Sequence, residues 1–86
     1  MSCLSNIVAI KGFRDLSPEL QTQLQNLAMQ HDDFNMKQKA LGNVEIFRWV
    51  EGYDENKFRQ NQFYHEQMKA LDQTIGNILR KAKLIG

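Results

Sequence analysis

The strongest constraint on this chain lies near its C-terminal end. There Tyr64, Met68, Leu71, Ile75, Ile78, Ala82 and Ile85 follow one another at alternating steps of four and three. Only a helix gathers such a series onto one stripe, and a strict 4-3 alternation is the spacing of a seam laid along another helix. Written as heptads, Asn61, Met68, Ile75 and Ala82 hold one core position, and Tyr64, Leu71, Ile78 and Ile85 hold the other. From Asp54 to Leu84 there is no proline and a single glycine, Gly76. The spacing therefore predicts a long helix capped by Asp54, on the order of 45 Å from end to end. Phe63 and Leu79 widen the stripe, so an ordinary core-facing surface fits as well as a seam between copies. In the second case Asn61 is a register-setting polar residue.

A second helix start is written in Ser17-Pro18-Glu19, where a serine can cap an orphan amide and proline suits the first helical position. Leu20, Leu24, Leu27, Ala28 and His31 continue it as one apolar stripe. The triplet His31-Asp32-Asp33 reads as its end, or as the restart of a further helix through Phe34, Met36 and Leu41, with Gly42-Asn43 as the terminal stop. Leu4 to Lys11 alternates and is rich in β-branched residues, which predicts a short strand. Val44 to Glu51 is apolar on both faces, which predicts a second strand, followed by a turn at Gly52-Tyr53-Asp54.

These elements sum to an α+β class, a small β-α-β-α single domain over residues 1–86 with a long C-terminal helix. The alternative is a mostly α-helical bundle with Val44–Glu51 helical and the N-terminus a docked arm. In the first arrangement the Leu20–Leu27 helix covers only about half of the long one. The apolar end from Ile75 to Ile85 then needs another copy to bury it. Tyr64, Met68, Leu71, Ile75 and Ile78 are accordingly the expected self-association residues.

Composition bounds the function. Eleven basic and ten acidic residues leave a formal charge of +1, which excludes a polybasic nucleic-acid binder. A single cysteine, Cys3, excludes an internal disulfide and any multi-cysteine zinc site, and reads as a small buried hydrophobe. No apolar run is long enough for a membrane span, and Met1–Leu4 opens no signal peptide, so a cytoplasmic location is expected. No glycine-rich phosphate loop or nucleophile motif occurs, so neither an enzyme nor a cofactor is expected.

Three groups remain as candidate sites. Trp49, Tyr53, Phe58 and Arg59 combine the residue types enriched at protein-binding hot spots and are the expected partner contact. Arg80, Lys81 and Lys83, with Lys57 and Arg59, form the nucleic-acid alternative, though cations also settle at any helix C-terminus. His31-Asp32-Asp33 and His65-Glu66 hold nitrogen and carboxylate donors, but neighbours on a helix diverge by about 100°, and no metal is expected. The resulting expectation is a non-enzymatic protein–protein interaction module that self-associates through its C-terminal helix and acts on an unidentified protein partner. The scattered glutamines and asparagines suit an accessory or regulatory protein of a phage or mobile element. The alternative is a small nucleic-acid-binding regulator.

Overall fold

The computed structural model describes residues 2–42 and 54–85. Among them there is no strand. The order is helix α1 (Cys3–Val8), a 3₁₀ turn (Phe13–Asp15), helix α2 (Pro18–Leu41) and helix α3 (Glu55–Lys81). The α+β expectation is thus overturned, and a helical bundle-like fold takes its place. The expected strand at Val44–Glu51 and the turn at Gly52-Tyr53 lie outside the described residues.

The N-terminal segment explains the largest correction. Leu4–Lys11 supports two periods at once. Read by twos it is a strand; read by threes and fours, Cys3, Leu4, Ile7 and Ile10 share a helical face. A distant residue decides between them. The Asp32 carboxylate accepts from the amides of Cys3 (2.6 Å) and Leu4 (3.1 Å), while Ser2 Oγ accepts from Ser5 N–H (3.0 Å). Three of the four amides a helix start leaves orphaned are thereby satisfied. Ile7 and Phe13 are then buried in the core.

α2 begins where the sequence says it should. Ser17 Oγ accepts from Leu20 N–H at 3.3 Å, and Pro18 opens the first turn. It does not stop at His31-Asp32-Asp33 but continues to Leu41, a length of 24 residues. The polar triplet does not break the helix because each member has its own direction. His31 turns toward α3, Asp32 caps α1, and Asp33 pairs with Lys37 one turn on (3.1 Å). Gly42 ends the helix with φ 75°.

α3 starts at the predicted cap, where Asp54 Oδ1 accepts from Asn56 N–H (2.9 Å) and Lys57 N–H (3.4 Å). It passes Gly76 without interruption and runs for 27 residues. Its end is a Schellman motif. Lys83 takes φ 61°, its N–H donates to the Arg80 carbonyl, and the Leu84 N–H donates to the Leu79 carbonyl, both at 3.0 Å. That reversal carries Leu84 back onto the core, against Gly12, which itself has φ 91°.

α2 and α3 lie antiparallel. Gln38 meets Asn61 at one end, Phe34 meets Tyr64 and His31 meets Asp72 farther along, and Leu24 and Ala28 share the core with Ile75 and Leu79 at the other end. α1 and the 3₁₀ turn close that last end only. The core of Ile7, Phe13, Leu24, Ala28, Ile75 and Leu79 therefore sits toward one end of a rod measuring 52 × 19 × 17 Å.

Candidate functional site

Cys3, His31 and Asp72 are far apart in sequence, yet the fold brings them to one place. One ligating atom from each (the Cys3 sulfur, a His31 ring nitrogen and an Asp72 carboxylate oxygen) lies within 4.8 Å of the other two. Each is supplied by a different helix. α1 presents Cys3 at its first turn, and both oxygens of Asp32 pin that turn by its amides. α2 presents His31, whose Nε2 stands 3.1 Å from Asp72 Oδ1 on α3. The His31 side chain is 14% exposed and that of Asp72 62%, so the cluster is closed toward the core and open toward solvent on the α3 side. His31 Nδ1 is buried and has no hydrogen-bond partner.

Burial pushes the Cys3 thiol above its ordinary value, and the negative charges of Asp32 and Asp72 add to this. Without a counter-cation the sulfur is therefore a poor nucleophile. The arrangement resembles a nucleophile–base–acid row in composition, but its electrostatics oppose thiolate chemistry. Sequence reasoning missed the cluster because its members sit on three separate elements. Neither the spacing 3–31–72 nor the local His31-Asp32-Asp33 triplet announces it.

The second feature is the side of the hairpin facing away from α1. On α2, Phe34 lies two positions beyond Asp32, about 160° round the helix. It therefore points away from the side α1 occupies. Phe34 stacks on Tyr64 at 5.9 Å, and Phe63 meets Tyr64 edge-on at 5.8 Å. Lys37 Nζ stands 5.8 Å from the centroid of Phe34 and 6.0 Å from that of Tyr64. Phe63 is 53% exposed. Tyr64, Leu71 and Ile78 continue along α3 at heptad spacing, each half-buried, with Leu20, Leu27 and Phe34 half-buried on α2.

The expected self-association residues are thus divided. Ile75 belongs to the core. Met68 is half-buried, as are Tyr64, Leu71 and Ile78. The premise that α3 outruns its cover does not hold, because α2 is nearly as long as α3. Asn61 is buried and sets register within one chain: its side chain accepts from Gln38 Nε2 (2.9 Å) and donates to the Gly42 carbonyl (2.7 Å).

Of the expected partner contact, Trp49 and Tyr53 lie outside the described residues. Phe58 is half-buried on α3, and Arg59 is exposed and paired with Glu55 at 3.0 Å. The basic residues do not form one patch. Arg59 and Arg80 stand 21 positions apart on the same helix, about 30 Å. Arg80 donates to Asn77 Oδ1 at 2.8 Å, and Lys83 is the left-handed residue of the helix stop. His65 is exposed.

No helix among the described residues is long and apolar enough to cross a membrane. Compared with protein-family models, curated proteins and solved structures, the chain matches none.

Proposed function

We propose that this protein is a non-enzymatic interaction module that works as a homodimer, its two copies meeting through the α2–α3 face opposite α1. The observation carrying this reading is Phe63, more than half exposed and continuous with the Phe34–Tyr64 stack and the Leu71–Ile78 stripe. Leaving one large aromatic in water costs about 1.5–3 kcal/mol relative to full burial, and the half-buried Phe34, Leu71 and Ile78 extend the same face.

A two-fold axis along this face would set the Phe34–Tyr64–Phe63 cluster of each copy against the same face of the other, giving a four-helix layer from two hairpins.

Sedimentation equilibrium at micromolar concentration should give twice the chain mass. Phe63→Glu, at an exposed position, should give the monomer mass with unchanged helical circular dichroism. A wild-type chain that stays monomeric to high concentration removes the reading. A salt-sensitive shift of DNA or RNA that disappears in an Arg80→Ala/Lys81→Ala double variant would put the nucleic-acid alternative in its place.

A further inference from the structure

We propose that Cys3, His31 and Asp72 bind a single zinc ion, with solvent as the fourth ligand. A sulfur, an imidazole nitrogen and a carboxylate oxygen are the three donor types zinc accepts, and three protein ligands with one open position is a recurring arrangement of that metal. Thiolate together with imidazole also argues against calcium or magnesium, which select oxygen donors.

The geometry is close to that of a ligand set. In a tetrahedral site with bonds of 2.0–2.3 Å, neighbouring donors stand about 3.3–3.7 Å apart. The His31 Nε2 to Asp72 Oδ1 separation of 3.1 Å is already one such edge. The cluster as a whole spans up to 4.8 Å, so closing it takes a movement of about 1 Å, less than a sulfur travels between staggered side-chain rotamers. The rest of the frame is fixed. Asp32 holds the first turn of α1 through two amides, so the thiol is presented from a pinned backbone. Solvent reaches the cluster past Asp72, which supplies an entry path and room for a bound water.

The test uses the full, tag-free chain, stripped with chelator and titrated with Co²⁺ and then Zn²⁺. The expected result is one equivalent of cobalt per chain, with a thiolate-to-cobalt charge-transfer band and tetrahedral d–d bands that zinc abolishes. Cys3→Ser, His31→Gln and Asp72→Asn should each weaken binding by more than about tenfold, the lower end of what even a supporting residue costs such sites. His65→Gln should leave it unchanged. Circular dichroism establishes that each variant is folded, and Asp72→Asn, at an exposed side chain, keeps the test open should His31→Gln unfold. Cobalt binding without a thiolate band, binding that persists in Cys3→Ser or Asp72→Asn, or no binding at all by the folded wild-type chain overturns the assignment.

Discussion

Asn61 shows how one polar residue in an apolar stripe can lock two helices together. It is 7% exposed, and its amide satisfies both Gln38 and the carbonyl of Gly42, the residue that ends α2. Asn61→Ala removes both bonds, at about 0.5–1.5 kcal/mol each. Urea unfolding should register it as a lower midpoint at unchanged slope, whereas a midpoint that does not move means the bonds are solvent-exchanged and idle. Two residues with positive φ give a contrasting pair. A Cβ at Gly12 would stand 2.8 Å from Leu84 Cδ2 in a conformation L side chains rarely take, so Gly12→Ala should cost about 1–3 kcal/mol. Lys83 holds φ 61° despite its Cβ, so Lys83→Gly should gain up to about 1 kcal/mol by relieving it. Thermal melts of the two variants should move in opposite directions, and a destabilised Lys83→Gly would show that the lysine side chain does more than stop the helix.

Among the elements, α1 is the most dependent on its surroundings. Six residues are too few for a helix to persist alone. Its stability comes from Ile7 in the core and from Asp32 at its N-terminus, a charge-assisted cap reaching across 28 residues to Leu4. Asp32→Ala should release α1 while α2 and α3 keep their pairing. Hydrogen exchange would then accelerate over Cys3–Val8 and leave Leu24–Ala28 and Ile75–Leu79 protected; equal acceleration everywhere would mean that α1 belongs to the global folding unit. α2 teaches the complementary lesson. His31-Asp32-Asp33 looks like a helix end because consecutive polar residues interrupt an apolar stripe, yet three polar side chains on successive positions point in three directions, and two of them, His31 and Asp32, meet partners the local sequence does not contain.

At the scale of the whole molecule, the chain is a rod with its weight at one end. The radius of gyration is 15.9 Å, against about 12 Å for a compact globule of this length. The core lies where α1 and the 3₁₀ turn cover the hairpin; toward Gly42 and Asp54, two helices pack with no third element among the described residues, held by Asn61, Gln38 and the Phe34–Tyr64 stack. Local opening should follow this gradient. Amide exchange in the isolated monomeric Phe63→Glu variant should be faster at 34–41 and 57–64 than at 24–28 and 75–79. Uniform protection along the rod would show that the polar lock is as strong as the apolar core.

The caps and the heptad stripe are local matters, and the sequence by itself determined them: Ser17 and Asp54 begin their helices where the side-chain chemistry requires, and Tyr64 to Ala82 could form only one kind of element. Tertiary structure decided the remainder. Leu4–Lys11 carries two compatible periods, and nothing short of the Asp32 carboxylate folding back on it selects the helix. The seam's partner turned out to be α2, because α2 runs through the polar triplet to Leu41 and so nearly matches α3 in length. Cys3, His31 and Asp72 share no local pattern at all; their meeting is a consequence of antiparallel register, which Asn61 and the core set together and which no single stretch of chain encodes.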